Sequence, residues 1–243
     1  MKVLIILIIK MVQFTVNLGD IIDRDQKDLD SVLICLKHLN KKIFHTTGNH
    51  DYKGITDNKV LYKKLKMPSE YYSFMKKNWV FVFLNTNEIA AYSNVVGTAK
   101  EQELLRIQNQ IKVNKEIQGA RWNGGVSSRQ LQWLDNLLKK SEKKNRNVLI
   151  FCHHPLYPRS QFTALNNMEI LDVINRYNCV KAIFSGHHHS GAFGYFDHIP
   201  CNTVEGMIET PDKNSFGIVR IYKDRIELEG KERMTSRLFM LQP

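Results

Sequence analysis

Four short stretches of the chain place carboxylate, amide or imidazole side chains directly after apolar segments. They are Gly19–Asp23 (GDIID), Gly48–Asp51 (GNHD), His153–Pro155 (HHP) and Gly186–His189 (GHHH). A cation needs its ligands on a rigid element, and a glycine before a ligand lets the backbone turn without a steric penalty. The mixture of oxygen and imidazole ligands suits zinc, manganese or iron better than calcium. The residue types therefore predict a metal site.

The first two stretches belong to a predicted βαβ unit. Phe14–Leu18 is an apolar strand before GDIID, and Ile43–Thr47 is a second strand before GNHD. Between them, apolar residues recur at helical spacing, at Val32, Leu33, Leu36 and Leu39. Parallel strands joined by a helix place both following loops at one edge of the sheet.

The other two stretches also follow strands. Asn147–Cys152 (NVLIFC) is apolar almost throughout, which predicts a central strand, and Lys181–Ser185 (KAIFS) is the next one. Open α/β sheets keep their chemistry at the carboxyl ends of the strands. Each stretch alone has an ordinary explanation, such as a turn with an N-capping aspartate or a hydrogen-bonded loop histidine. Their occurrence together at strand ends favours one shared site.

The remaining segments predict an α/β domain with an antiparallel second sheet. Lys59–Lys66 is a short helix, and Glu70–Thr86 is a hairpin that turns at Lys76–Asn78. Glu101–Gln118 is a polar helix or a mobile insert. Ser127 and Ser128 cap a helix, another helix covers Asn167–Tyr177, and the part after Gly186–His189 is β-rich. No linker divides the chain, so residues 1–243 are expected to form a single domain.

Composition restricts the partners and the compartment. The chain has 243 residues and a net charge of +11, which favours anionic partners, but its lysines are scattered in pairs rather than in a basic stripe. We therefore expect a small anionic ligand rather than nucleic acid. We also expect that the protein does not bind a membrane and that it is a monomer. Cys35, Cys152, Cys179 and Cys201 lack any C-x-x-C spacing and are predicted to be small buried hydrophobic residues of a cytoplasmic protein. The apolar run in Met1–Lys10 is shorter than the roughly 20 residues that span a bilayer, and it is interpreted as a buried strand or helix. A secretory signal peptide is the alternative, but Lys10 ends the run early and no small-residue cleavage site follows.

The four stretches resemble the motifs of the calcineurin-like metallophosphoesterase superfamily, whose pattern is D-x-H, G-D-x-x-D, G-N-H-D/E, H and G-H-x-H. The resemblance implies that Asp20 bridges two metal ions. It further implies that Asn49, His153 and His187 complete the ligands of one ion and that His189 binds the other. We choose His153 over His154 because it directly follows the strand, and His188 occupies the variable position and is not expected to bind metal.

The same resemblance implies the catalytic residues. His50 corresponds to the residue that contacts the phosphate and protonates the leaving group, with Asp51 orienting it. Imidazole suits this task because its pKa lies near neutrality. Asp23 is expected to anchor its own loop. Two divalent ions about 3.5–4 Å apart can clamp a phosphoryl group and lower the pKa of a shared water.

Four longer sequence blocks resemble one particular group within this superfamily. They are WNGGVSSRQLQWLDNLL, the HHPLYP loop, NRYNCVKAIFSGHHHSGAF and TVEGMIETPDKNSFGIVRIY. Together they resemble the manganese-dependent ADP-ribose/CDP-alcohol diphosphatases. This implies two facing mixed sheets flanked by helices, an αββα sandwich. It also implies hydrolysis of the diphosphate bond of ADP-ribose, CDP-choline or CDP-glycerol, releasing AMP or CMP, with manganese favoured over zinc, iron or magnesium.

Three further residues are candidates for substrate binding. Arg24 is expected to reach a phosphate, Tyr157 to stack on a base, and Asn123 to line the nucleotide pocket, the last on the resemblance alone. Ordinary packing or solvent exposure is the alternative for each of them.

The first motif of the superfamily has no counterpart here. Residues Met1–Gln13 contain no Asp, Glu or His, and Lys10–Gln13 is too short for a parallel crossover, which needs roughly a dozen residues. We therefore expect a domain that lacks the first βα unit, and a second metal position that retains only Asp20 and His189. A truncated sequence and a degenerate, non-catalytic binding protein both fit this departure. Another phosphodiesterase or nuclease of the superfamily is the remaining alternative.

Overall fold

The computed structural model of this chain describes residues 12–38 and 41–241. The strands within these ranges are β1 (Thr15–Asn17), β2 (Ile43–His45), β3 (Tyr72–Lys76), β4 (Trp79–Phe83), β5 (Asn147–Phe151), β6 (Val180–Ser185), β7 (Ala192–Phe196), β8 (Ile199–Thr203), β9 (Ser215–Ile221), β10 (Arg225–Glu232) and β11 (Arg237–Met240). The helices are α1 (Gln26–Lys37), α2 (Asn58–Lys64), α3 (Ala99–Val113), α4 (Ser128–Lys143) and α5 (Asn167–Ile174), and a 3₁₀ turn covers His50–Tyr52.

The largest sheet has six strands in the order β3-β4-β5-β6-β8-β7. Strands β4, β5, β6 and β8 are parallel to one another, and the two edge strands β3 and β7 are antiparallel to their neighbours. The predicted hairpin is β3–β4, and the strand predicted to be central, β5, lies between β4 and β6. Both predictions are confirmed.

The two faces of this sheet bury different sets of residues because side chains alternate along a strand. Val82 and Ile150 belong to the core that packs against helices α4 and α5. Phe83 and Phe151 point to the opposite face, where they pack against the remaining strands.

Two smaller sheets cover that second face. Strands β1 and β2 form a parallel pair, and β9–β11 form an antiparallel sheet of three strands. Phe44 of the pair and Ile226, Leu228 and Phe239 of the three-stranded sheet share one core with the six-stranded sheet. Helices α1 and α2 form another cluster through Leu29, Leu61 and Leu65, together with Ile22 and Tyr52. The predicted mixed α/β fold of sheets flanked by helices is confirmed.

The segment that the sequence left open is helical. Helix α3 buries Leu104, Ile107 and Ile111 against Ile89 and Leu165, so it is packed on the domain. Helix α5 ends at Ile174, three residues before the predicted end. The part after residue 189 was predicted to be β-rich, and it contains strands β7 to β11.

One cysteine prediction is wrong. Cys152, Cys179 and Cys201 are buried, but Cys35 is exposed, and all four are free thiols. The inward stripe of α1 consists of Leu29, Val32, Leu33 and Leu36, and Cys35 lies outside it.

Two predictions concern the beginning of the chain. The first is that the apolar run in residues 1–10 forms a buried strand or helix, and the second is that the domain lacks the first βα unit. Residues 1–11, on which both predictions depend, lie outside the described residues. Across residues 12–38 and 41–241, no helix has the length and apolar character needed to cross a bilayer.

Candidate metal centre

The four predicted stretches meet at one edge of the fold. Asp20 and Asn49 follow the parallel pair β1–β2, and His153 and His187 follow the parallel strands β5 and β6 of the large sheet. The site therefore joins the two layers of the fold.

Three ligand-type atoms surround one nitrogen of His153. Its Nε2 lies 3.3 Å from Asp20 Oδ2, 3.1 Å from Asn49 Oδ1 and 3.1 Å from His187 Nδ1. Ligands that each lie about 2.1 Å from one ion are themselves about 3.0–3.4 Å apart in octahedral or tetrahedral geometry. The three distances from His153 Nε2 therefore fit ligands of a single divalent ion.

The tautomer of His153 supports this assignment. Its Nδ1 lies 2.7 Å from the carbonyl oxygen of Leu18, which can only accept, so Nδ1 carries the proton. The Nε2 lone pair then faces an amide oxygen, a carboxylate and a second imidazole lone pair. Such a cluster of acceptors needs a positive charge at its centre.

The pKa shifts of His153 and Asp20 also indicate that this cluster needs a positive charge. Burial acts to lower the pKa of His153, but the carboxylate of Asp20 outweighs it and raises that pKa. Burial acts to raise the pKa of Asp20, but His153 and the backbone N–H of His50 hold it at about 2. A proton on His153 partly supplies the charge that a metal ion would supply in full.

His187 is held in the complementary tautomer by Asn123. The Oδ1 of Asn123 lies 3.1 Å from His187 Nε2, and its Nδ2 donates to the carbonyl oxygens of Gln118 and Gln161 at 2.8 and 2.7 Å. Because the amide nitrogen is committed to two acceptors, Oδ1 must accept from His187 Nε2–H, which leaves Nδ1 for a metal. Asn123 is only 1% exposed. This corrects the expectation that Asn123 lines the nucleotide pocket, because both ends of its amide are engaged by protein.

His154 lies beside the site and is not a ligand candidate. The atoms of His153, His154 and His187 lie within 4.8 Å of one another, which by itself fits a metal site. However, His154 Nδ1 lies 2.9 Å from Thr86 Oγ1 and its Nε2 lies 3.2 Å from the carbonyl oxygen of Trp122. Both nitrogens are therefore engaged, and burial lowers the pKa of His154 to about 3, so the ring is neutral. The choice of His153 over His154 agrees with this geometry.

Two glycines let the first two loops cross. A Cβ on Gly19 would lie 2.5 Å from Gly48 N, and a Cβ on Gly48 would lie 2.7 Å from Asp20 Cγ. Gly19 also has a positive φ of 94°, which other residues rarely adopt. These glycines allow the Asp20 carboxylate to lie directly over the GNHD loop.

The two remaining aspartates exchange the roles predicted for them. Asp51 was expected to orient His50, but its carboxylate accepts backbone N–H groups of Asp20, Ile21 and Gly48 at 3.1, 2.9 and 2.8 Å. Asp51 is fully buried and anchors the loop that carries Asp20. Burial, and secondly the charge of Asp20, raises the pKa of Asp51 to about 6.

Asp23 holds His50 instead. The Nδ1 of His50 lies 2.9 Å from the carbonyl oxygen of Asp23 and 3.1 Å from its carboxylate. The other ring nitrogen of His50 remains available, and the side chain is 42% exposed. The prediction that Asp51 orients His50 is therefore wrong, because Asp51 lies on the backbone side of the loop.

His189 lies at the outer side of the site. Its Nδ1 is 2.6 Å from Glu209 Oε1, and the side chain is 38% exposed. The neighbouring His188 stacks on Phe162 with ring centroids 4.4 Å apart. The expectation that His188 binds no metal stays a prediction.

An open cleft of about 570 Å³ adjoins the metal centre on the side of His50. Its lining residues are Asn49, His50, Tyr52, Lys53, Gly54, Ile55, Tyr92, Arg121 and Trp122. Arg24 is not among them and pairs with Asp23 at 2.8 Å with 82% of its side chain exposed. Tyr157 packs on Phe196 with ring centroids 5.7 Å apart. Substrate contacts of Arg24 and Tyr157 stay predictions.

Sequence reasoning missed Asp23 as the partner of His50, Glu209 as the partner of His189, and the cleft residues Arg121 and Trp122. The spacing of GDIID contains a signal for Asp23, because a second carboxylate three residues after the first has no role in a simple turn. Glu209 lies 20 positions beyond His189, and no local pattern connects the two.

Comparison with known proteins agrees with the site. A family model described as calcineurin-like phosphoesterase matches residues 3–191. The manganese-dependent ADP-ribose/CDP-alcohol diphosphatase of Bos taurus is 31% identical over 261 residues, covering 91% of this chain and 77% of that protein. The rice protein of the same name (Oryza sativa subsp. japonica) is 30% identical over 259 residues, covering 96% and 80%.

A solved structure shows the same arrangement of elements. The crystal structure of a dimetal phosphatase from Danio rerio matches with a TM-score of 0.90 and 26% identity, covering 99% of this chain and 88% of that chain. Together with a family match over most of the sequence and a cluster of ligand atoms in the expected place, this similarity leads to one conclusion. The chain belongs to the calcineurin-like phosphoesterase family of metal-dependent hydrolases.

Proposed function

We propose that this protein is a manganese-dependent hydrolase that cleaves the diphosphate bond of ADP-ribose, CDP-choline or CDP-glycerol and releases AMP or CMP. The observation that carries the proposal is the convergence of Asp20, Asn49 and His187 on Nε2 of His153. The relatives from cattle and rice, whose names state this activity, support the choice of metal and substrate.

Each ligand residue has a defined part in the proposal. Asp20, Asn49, His153 and His187 hold one divalent ion, and Asp20 and His189 contribute to a second. When bound, such ions neutralise the phosphate charge and supply a nucleophilic water at neutral pH. Leu18 and Asn123 hold His153 and His187 in the tautomers that present their free nitrogens to the ion.

His50 is the proposed general acid. Asp23 holds its Nδ1, so the proton for the leaving oxygen is carried on Nε2. The side chain lines the cleft next to Asn49, within the space where a diphosphate would lie. Asp51 contributes indirectly by fixing the loop of Asp20.

The cleft suits a nucleotide. Lys53 and Arg121 line it, and within residues 12–38 and 41–241 neither side chain has a hydrogen bond or an ion pair with another residue. They supply positive charge for phosphate oxygens. Trp122 is 48% exposed at the same cleft and offers a flat ring on which a base can stack.

The proposal is tested by incubating the purified protein with Mn²⁺ and ADP-ribose or CDP-choline and separating the nucleotides by chromatography. We expect AMP and CMP as products, no turnover in excess EDTA, and loss of activity in His153→Ala. His50→Ala is expected to lose about 10²–10⁴-fold in kcat because the general acid is removed. His38→Ala is the matched control, because His38 is exposed and, among the described residues, its side chain hydrogen-bonds only to the carbonyl oxygen of Cys35.

Two results would contradict the proposal. Products that form equally in His153→Ala would show that another protein in the preparation is responsible. Cleavage of a single-stranded oligonucleotide without cleavage of ADP-ribose or CDP-choline would replace the diphosphatase with a nuclease of the same family.

A further inference from the structure

We propose that Glu209 is a positioning residue for the second metal position, the one assigned to Asp20 and His189: its carboxylate holds the His189 imidazole so that Nε2 would be free to bind an ion. The inference rests on the metal site proposed above and adds a residue that no resemblance or motif assigns. It concerns metal binding alone, so it can be tested without substrate.

The hydrogen bond between His189 and Glu209 determines which ring nitrogen of His189 is free. His189 Nδ1 lies 2.6 Å from Glu209 Oε1, and a carboxylate at this distance accepts the Nδ1 proton. Within the described residues, Nε2 of His189 has no hydrogen-bond partner. A neutral imidazole with a proton on Nδ1 presents its lone pair at Nε2, which is the form that binds a metal.

The segment that carries Glu209 is fitted closely to His189. A Cβ on Gly206 would lie 2.8 Å from His189 Cγ, and the backbone N–H of Gly206 donates to the carbonyl oxygen of His189 at 2.9 Å. The ring therefore lies directly against backbone, where a side chain at position 206 would displace it.

The same segment is tied to the three-stranded sheet. Arg233 Nη1 donates to the carbonyl oxygen of Gly206 at 2.7 Å, and Thr235 Oγ1 donates to Glu205 Oε1 at 2.6 Å. These bonds fix the path of the chain just before Glu209. The carboxylate consequently approaches His189 from a supported segment, although Glu209 itself is 41% exposed.

The other three imidazoles of the site are each held by a protein acceptor, as His189 is held by Glu209. The ring nitrogen that is not available to an ion or substrate donates to a protein acceptor, namely Leu18 O for His153, Asn123 Oδ1 for His187 and the Asp23 oxygens for His50. Glu209 supplies the missing acceptor for His189. Such partners of metal-binding histidines typically change metal affinity by 10–100-fold when they are removed.

The test is a Mn²⁺ titration of the purified protein, with the free ion measured from its electron paramagnetic resonance signal. We expect a tighter and a weaker class of site in the unaltered protein. Glu209→Ala should weaken the weaker class about 10–100-fold and leave the tighter class unchanged. Glu209→Gln should lose less, because the amide oxygen still accepts from Nδ1–H.

Asp197→Asn is the matched control. Asp197 forms a second carboxylate–histidine pair, with its Oδ2 3.2 Å from Nδ1 of the adjacent His198, on an exposed turn between β7 and β8. Removing this charge should change neither class of site. A weaker class that falls equally in this variant would show a general effect of surface charge and would overturn the inference.

Three other results would also overturn it. These are a weaker class that is unchanged in Glu209→Ala, a loss in both classes together with a lower melting temperature, and a single class of site that is insensitive to Glu209. Failure of the diphosphatase proposal is distinguishable, because a protein without turnover can still show two classes of Mn²⁺ site of which only one depends on Glu209.

Discussion

Hydrogen bonds to the far side of each imidazole decide which nitrogen the site presents. His153 and His187 use opposite nitrogens, Nε2 and Nδ1, because Leu18 and Asn123 engage the other ones. Residue types in the sequence were sufficient to identify these histidines as ligand candidates. They were not sufficient to identify the partners, because a carbonyl oxygen and a buried amide have no distinctive sequence pattern.

The exchange of roles between Asp23 and Asp51 has the same origin. Both are carboxylates in ligand-rich loops, and the family resemblance made Asp51 the expected partner of His50. In the structure the 3₁₀ turn His50–Tyr52 directs Asp51 inward to the N–H groups of Ile21 and Gly48. The direction of a side chain in a tight turn follows from backbone torsions, which the sequence did not reveal.

At this scale we predict that Asp23→Ala lowers kcat for ADP-ribose at least about tenfold, because His50 loses the carboxylate that orients it for proton transfer. Mn²⁺ affinity should not change, since Asp23 has no hydrogen bond or ion pair with His153 or with the three ligand atoms around its Nε2. Steady-state kinetics and a Mn²⁺ titration separate the two effects.

Asp30→Ala is the control for that variant, because Asp30 is another exposed carboxylate close to Asp23 in the chain and pairs with Lys64 at 3.3 Å. Its kcat should stay within about twofold of the unaltered protein, as expected for an exposed ion pair. An equal fall in kcat for both variants would argue that the loss of a surface carboxylate, rather than the loss of the Asp23–His50 contact, lowers the rate.

The elements were predicted better than their contacts. The βαβ unit, the β3–β4 hairpin and the central strand β5 follow from apolar runs and helical spacing, and the structure contains all three. The crossing of the GDIID and GNHD loops did not follow from those patterns. It depends on Gly19 and Gly48 approaching each other, which is a tertiary contact between residues 29 positions apart.

We therefore predict that Gly48→Ala weakens Mn²⁺ binding at least about tenfold, because its Cβ would overlap the Asp20 carboxylate and displace a ligand. Gly97→Ala is the control, since Gly97 has a positive φ of 76° but no atom within 4 Å of an added Cβ. The Mn²⁺ titration should distinguish them even if both lose stability. Equal Mn²⁺ affinity in the two variants would show that the crossing tolerates a Cβ.

At the scale of the whole molecule, the metal centre lies between two layers that the sequence could not assign. The parallel pair β1–β2 carries Asp20 and Asn49, and the six-stranded sheet carries His153 and His187. Apolar runs identify strands, but the order β6-β8-β7 and the division of the second layer into two sheets depend on packing between distant segments. A bound ion would tie the two layers together.

We predict that Mn²⁺ stabilises the fold through this bridge. At an ion concentration of about 100 times Kd, binding to the folded state alone contributes about 2.7 kcal/mol, or roughly 5–10 °C in melting temperature for a chain of this size. Thermal unfolding followed by circular dichroism measures the shift. The shift should vanish in His153→Ala, and its persistence there would place the stabilising ion elsewhere.

The position of the bound ion tests the central claim most directly. Diffraction from crystals grown with Mn²⁺, recorded on both sides of the manganese absorption edge, locates the metal by its anomalous scattering. We predict a peak within coordination distance of Asp20, Asn49, His153 and His187, with His154 still bonded to Thr86 and the Trp122 carbonyl. A peak coordinated by His154, or crystals with Mn²⁺ that show no peak among these four residues, would contradict the account.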